Sequence, residues 1–455
     1  MEKRIVVIGA GISGLATAYW LEKSGFEVAL LEAKGEPGGA METQIEDGFL
    51  IDFGPNSGLE TTPLISQLAE EVGIKDEMIY ANEEGSNRYI LKNNSLLALP
   101  TSPMAFFRSK LFSLPAKLRL MQEPFIGKSE DGYYQSISEF VTRRLGREFL
   151  DYAIDPFVSG VFAGDPNKLS VKSAFPKLYR LEELYGGLIM GMIKGAKERK
   201  KRNEQSKQNA KMFSFKNGMQ TFPAAIANKL KGKIHYHSSV NEIIKTDYGY
   251  KIVYTQNGER AEIDTPRILS TIPSHTLSNK IKSIDSKLSA HLAEIFYPKV
   301  MVMFLGFNKS SIGQKLDGFG YLIPTKENKI FLGAIWSSTI FKNRSEDDKA
   351  SFTIFIGGAK SSNPLSENND TIIREVISEF KKTMRISEEP LMVKTKLWDK
   401  AIPQYNLGYI EHEKYFEQFE LNNPGFYLSG NYRGGISVGD CVKNSEVTAR
   451  RIIES

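Results

Sequence analysis

Residues 4–32 constrain this chain more than any other stretch. Arg4-Ile5-Val6-Val7-Ile8 reads as a short buried strand, Gly9-Ala10-Gly11-Ile12-Ser13-Gly14 as a turn, and Leu15–Leu21 as an apolar helix. A second strand, Glu27–Leu31, ends at an acid, Glu32. Strand, glycine-rich turn, helix and strand, with an acid about 20 residues on, is the pattern that binds a dinucleotide. Gly9 permits the tight turn, Gly11 lets backbone approach a pyrophosphate, and Gly14 lets helix and strand pack closely. The helix N-terminus, with Ile12 and Ser13 in its first turn, presents free N–H groups to phosphate. Glu32, followed by Ala33, is expected to accept hydrogen bonds from ribose hydroxyls, and its charge repels an added 2′-phosphate. The pattern alone does not separate a nicotinamide from a flavin nucleotide.

Residues 5–21 carry no charge, follow Lys3 and Arg4, and include Ala16-Thr17-Ala18, a small-residue run like a leader-cleavage site. The glycines have a better explanation and cleavage there would destroy the turn, so secretion is not expected. No other segment approaches the roughly 20 apolar residues of a membrane span.

A chain of 455 residues has room for two or three substructures. Its net charge of +5, from 59 basic and 54 acidic residues, argues against nucleic-acid binding. The one cysteine, Cys441, excludes an internal disulfide and fits a reducing, cytoplasmic setting. Five histidines (His235, His237, His275, His291 and His412) show no ligand spacing, so no metal is expected. His235 and His237 read as alternate positions on a half-exposed strand.

Further glycine-rich segments follow the acid. Glu36-Pro37-Gly38-Gly39-Ala40-Met41 leads to Gly48-Phe49-Leu50-Ile51-Asp52-Phe53-Gly54-Pro55-Asn56. Near the C-terminus, Gly425–Asn431 reads as strand then turn, and Gly434–Asp440 leads into a helix read as Val442–Ile453. Between them lie the strand Ser239–Ile244 and the segment Arg267–Pro273. Together these resemble the FAD-binding superfamily of amine oxidases, phytoene desaturases and porphyrinogen oxidases. The resemblance implies an α/β fold with a discontinuous Rossmann-like FAD domain, a mixed-sheet substrate domain and a helical membrane-docking insert. It implies non-covalent FAD held by Gly9, Gly11, Ile12, Ser13, Gly14, Glu32, Ala33, Gly38, Gly39, Ala40, Gly54, Pro55 and Asn56. Val240, Thr271, Trp398, Gly430, Asn431, Ile436, Ser437 and Val438 complete that set. Many members have Arg where this chain has Ala40, so a phosphate contact is lost here; Asn431 replaces the usual acid, as in porphyrinogen oxidases.

Four more segments narrow the resemblance. They are Asn87–Leu91 with Leu99–Pro103, Asp155–Pro166 (DPFVSGVFAGDP) with Leu169-Ser170, Gly318–Pro324 with Ser337–Phe341 and Phe355–Gly358, and Trp398–Tyr405 (WDKAIPQY). In this order they are similar to the protoporphyrinogen oxidase family, its plant-type branch in particular. That resemblance implies oxidation of protoporphyrinogen IX to protoporphyrin IX in haem synthesis, with O2 as acceptor and H2O2 as product. Arg88 would pair with a substrate propionate, a carboxylate that a guanidinium grips bidentately. Leu322, Ile323 and Phe341 would sandwich a pyrrole ring. No side chain is assigned as a general acid or base. Coproporphyrinogen III, or an amine, stands as the alternative substrate. The resemblance leaves open peripheral membrane association and a homodimer.

The expected divisions are 1–87, 211–278 and 398–455 for FAD, 88–210 for the helical insert, and 279–397 for substrate. Within the insert, Phe106-Phe107, Leu111-Phe112 and Leu118–Met121 form apolar stripes interrupted by Lys and Arg, a pattern shared by lids and membrane-surface helices. Lys194–Lys211 is basic and poor in apolar residues, and is expected to be a solvated loop.

Overall fold

The computed structural model describes residues 3–201, 210–362, 365–366 and 369–455. One half of the molecule is built on a parallel sheet of five strands in the order 234–235, 27–31, 4–8, 268–270, 426–428. The central strand Arg4–Ile8 is apolar on both sides: Val6 and Ile8 enter one core, Ile5 and Val7 another. That is the pattern of a parallel sheet covered on both faces. The first helix, Ile12–Lys23, packs against the last, Val438–Glu454, where buried Ser445 donates to the Ser13 carbonyl at 3.0 Å. An antiparallel three-stranded sheet, 238–246, 249–256 and 259–265, lies beside this half.

The second large sheet has seven strands in the order 392–398, 300–308, 349–357, 331–335, 318–322, 87–92, 95–98. Val300–Asn308 is buried on both faces. Met301, Met303, Leu305 and Phe307 meet Val376, Phe380 and Met384 of the helix Asp370–Met384. Val302 and Phe304 meet Phe49, Ile51 and Phe53, so this sheet rests directly on the chain leading into Gly54.

A helical region includes Pro103–Arg108, Leu114–Met121, Ile137–Leu145, Asp155–Phe162, Pro176–Tyr185 and Leu188–Lys201, and packs Leu111, Phe112 and Tyr152 against Ile90 and Leu322 of the seven-stranded sheet. Its interior holds a charge network: fully buried Arg144 pairs with Glu123 at 2.8 Å and with Glu182. Glu123 also accepts the N–H groups of Leu188 and Ile189, at 2.7 and 3.1 Å, fixing the start of the helix there. Burying charge is tolerated when every partner is supplied in this way.

Four expectations are corrected. Residues 88–98 are strands of the seven-stranded sheet, not part of the helical insert, because Asn87–Lys92 finds a parallel partner in Gly318–Leu322. Lys194–Lys201 continues a helix begun by the Glu123 cap, while 202–209 lie outside the described residues. The last helix starts at Val438 rather than Val442, since Ser437 caps it by accepting from Asp440 N–H at 3.1 Å. His237 does not alternate with His235; it turns out of the strand with φ +52°.

Candidate active site

Gly9 N–H donates to the Leu31 carbonyl at 2.8 Å, locking the turn between the first two strands. Buried Glu32 straps the same turn, accepting from Ala10 N–H at 2.7 Å and Lys34 N–H at 2.8 Å. A carboxylate takes about four hydrogen bonds, so two acceptor positions remain for hydroxyls. Gly11 is the N-cap of the first helix, with no side-chain cap and no acid in the first turn, so the helix end is left for an anion.

The glycines divide by cause. A Cβ on Gly14 would collide with the Gly9 carbonyl, and one on Gly54 with the Ala40 carbonyl, so folding alone demands both. A Cβ on Gly11 would meet nothing nearer than Gly39 Cα at 3.9 Å. The chain itself does not need glycine at 11, and the space above it is open. Gly38 lies alongside, paired with Gly11 in a parallel bridge, while Ala33 and Ala40 are exposed at the rim. Val240 is buried in the strand that begins where Ser238 N–H donates to the Glu32 carbonyl at 2.7 Å.

On the far side, the Thr271 hydroxyl donates to the Ile8 carbonyl at 2.9 Å. Gly430, with φ +124°, turns the chain after Ser429 N–H has donated to the Ser270 carbonyl at 2.9 Å. The loop beyond is held from outside. Tyr405 donates its hydroxyl to the Asn431 carbonyl at 2.6 Å and accepts from Gly435 N–H at 3.0 Å, and Tyr409 donates to the Tyr432 carbonyl. Burial pushes the Tyr405 phenol well above its ordinary pKa, so it remains a donor. Ile436 is half-buried, Ser437 is exposed as the helix cap, and Val438 is buried behind it. Burial pushes the nearby Cys441 thiol up to about 11, which leaves it inert.

Trp398 donates its indole N–H to the Phe53 carbonyl at 2.9 Å, fixing the chain before Gly54 and Pro55. Asn56 donates to the Asp52 carbonyl at 2.9 Å, and its own side-chain oxygen is buried without a hydrogen-bond partner among the described residues. Beneath it, Arg344 and Asp52 form a buried ion pair at 2.8 Å, each 2% exposed. Burial pushes the Asp52 carboxyl up, and the Arg344 guanidinium beside it pulls the other way. Arg344 also reaches the Asn56 carbonyl at 3.4 Å and its guanidinium lies 5.4 Å from the Phe341 ring centre.

Among the substrate residues, Arg88 is exposed, 5.8 Å from the Phe319 ring centre, and has no ion-pair partner among the described residues. Leu322 is half-buried with Ile90 and Tyr152, on the strand next to Arg88. Phe341 is buried. Ile323 is the member set apart: it follows Leu322, points the other way and packs in the core with Tyr321 and Phe331.

Sequence reading assigned no role to Asp52, Arg344 or Tyr405. Nor did it show why the two most distinctive segments belong together. Gln404, in the AIPQY run, donates to the Phe162 carbonyl at 2.8 Å, and Lys360 binds both Asp155 and Ser159, the latter at 2.9 Å.

The family described as flavin containing amine oxidoreductase matches residues 12–453. Protoporphyrinogen oxidase 2 of Arabidopsis thaliana, chloroplastic/mitochondrial, is 32% identical over 99% of this chain and 94% of its own length. Coproporphyrinogen III oxidase of Bacillus subtilis (strain 168) is 28% identical over 97% of this chain and 96% of its own. The same fold occurs in an Exiguobacterium sp. 255-15 protein named only provisionally as a protoporphyrinogen oxidase, with TM-score 0.82 and 21% identity, covering 100% and 99% of the two chains.

Proposed function

The chain belongs to the flavin containing amine oxidoreductases and, within them, to the protoporphyrinogen oxidase family, and from this we propose that it oxidises protoporphyrinogen IX to protoporphyrin IX in haem synthesis. The carrying observation is similarity to such an oxidase along nearly the whole of both chains. FAD is the flavin we assign, held without a covalent bond, with O2 as acceptor and H2O2 as product. The open space over Gly11 and the uncapped helix beside it support a dinucleotide, and the buried thiol of Cys441 supports a non-covalent hold.

Bound flavin supplies a hydride acceptor for the bridging carbons of the porphyrinogen. The protein's part is placement. Arg88, with no ion-pair partner among the described residues, offers its guanidinium to a propionate, and Leu322 presents an apolar edge on the adjacent strand. Phe341, on Arg344, connects that side of the cleft to Asp52 and Asn56. Holding a carbon against an acceptor requires shape more than proton transfer, which fits a site where no side chain is needed as a base.

Coproporphyrinogen III is the second reading, favoured by the Bacillus subtilis relative, which matches at almost the same length. Anaerobic mixing with each porphyrinogen separates the two. Flavin bleaching should be faster with protoporphyrinogen; faster bleaching with coproporphyrinogen exchanges the substrates, and none with either defeats the proposal.

No described helix is long and apolar enough to cross a bilayer, and the membrane contact we propose is peripheral. Met104, Phe107, Leu114, Leu118, Met121 and Phe125 stand exposed on neighbouring short helices, with Arg108 and Lys110 among them. Apolar side chains beside cations suit the surface of an anionic membrane.

A further inference from the structure

We propose that His291, Glu294 and His412 bind a first-row divalent transition ion of the Zn2+ class, joining the helix Ser286–Glu294 to the helix Tyr409–Asn422. His291 and Glu294 are one turn apart on the first helix, and His412 comes from the facing turn of the second. One ligand atom from each lies within 4.8 Å of the others. The two Nδ1 atoms are 2.9 Å apart. At Zn–N distances of 2.0–2.1 Å, two tetrahedral nitrogens stand about 3.4 Å apart, so the rings need to open by only about half an ångström. Two imidazoles and a carboxylate, with a water completing the set, select Zn2+, Ni2+ or Cu2+ over the oxygen-seeking Mg2+ and Ca2+.

The rings are held by the protein before any ion arrives. The His291 ring stacks on Tyr415 with centres 4.5 Å apart, and the Tyr415 hydroxyl donates to Asp285 at 3.1 Å. The His412 ring meets Tyr409 edge-on at 5.5 Å. Without the ion, one Nδ1 carries a proton and donates to the other; on binding, that proton moves to its Nε2 and both Nδ1 lone pairs face the metal. Glu294 is exposed, which gives the ion a path in from solvent.

The site lies one helical turn beyond Tyr409, whose hydroxyl supports the Tyr432 carbonyl in the C-terminal cofactor loop. An ion here stiffens the helix beneath that loop without touching the flavin.

Calorimetric titration of chelator-treated holoprotein with Zn2+ at pH 7.5 tests this. One ion per chain should bind with micromolar affinity, raise the thermal midpoint, and persist in millimolar Mg2+. His412→Ala should weaken binding at least 100-fold and Glu294→Gln about tenfold. Because His412 is partly buried, the double variant His291→Gln/Glu294→Gln serves where H412A does not fold; it should lose the stoichiometric site while keeping its flavin. Absence of saturable uptake overturns the proposal. So does unchanged uptake in the double variant, which would mean adventitious surface binding and a plain hydrogen bond between the two rings.

Discussion

At Gly14 an added β-carbon strikes the Gly9 carbonyl, whereas at Gly11 it enters open space. Gly14→Val should therefore abolish soluble expression, whereas Gly11→Val should give folded protein with at least tenfold less flavin. Far-UV circular dichroism together with the visible absorbance per chain distinguishes the outcomes, and a fully yellow G11V protein would mean that flavin is not held against Gly11. Arg88 makes the complementary case for substrate. Arg88→Ala should raise KM more than it lowers kcat, a loss of about 1.5–3 kcal/mol, or roughly ten- to a hundredfold in kcat/KM. Arg88→Lys should recover only part, because an ammonium lacks the bidentate fork. With a porphyrinogen whose propionates are esterified, wild type and R88A should behave alike; an equal loss with the ester would mean that Arg88 supports the fold and not a carboxylate.

The short helix Ser274–Ile281, which follows the central-sheet strand Ile268–Ser270, carries a titratable group, His275. Burial, and then the nearby Lys400, push His275 down to about 4, and its ring lies edge-on to Tyr297 at 4.8 Å. Its folded pKa is below the unfolded value of about 6.5, so its stability contribution is complete above pH 6.5 and is lost as pH falls towards 4. Allowing for partial solvent access, the loss is about 2 kcal/mol. Urea midpoints at pH 7 and pH 4.5 should show it, and His275→Gln should remove that part of the acid sensitivity; an equally steep loss in H275Q would assign it elsewhere. The Gly9–Gly14 turn was legible because its partners, Leu31 and Glu32, are local and its spacing is set by the turn. Residues 88–98 were misassigned because a strand's alternation does not name its partner, here Gly318–Leu322. Ile323 was grouped with Leu322 although consecutive side chains on extended backbone point to opposite sides. Asp52 and Arg344 carried no signal, because a buried charge looks like an exposed one until the chain folds around it.

On the scale of the whole molecule, the exposed apolar side chains gather on the helical region, where Phe125 is 89% exposed. Replacing Leu118, Met121 and Phe125 together by Ser should reduce co-sedimentation with phosphatidylserine-containing vesicles about a hundredfold, on the order of 1 kcal/mol for each partly inserted side chain. Flavin content should not change, and undiminished vesicle binding would argue for a lid. The packing of the first helix on the last has another consequence, which concerns synthesis. Ser13 and Ser445 meet across 432 residues of sequence. At 5–20 residues per second, a ribosome takes roughly 20–90 s to make what lies between them. During that interval the Gly9–Gly14 turn has neither the strand Phe426–Leu428 nor the helix Val438–Glu454. Until the chain is complete, the apolar side chains Ile5 and Val7 of the first strand therefore lack Val442 and Ile452, which bury them from the last helix in the folded protein.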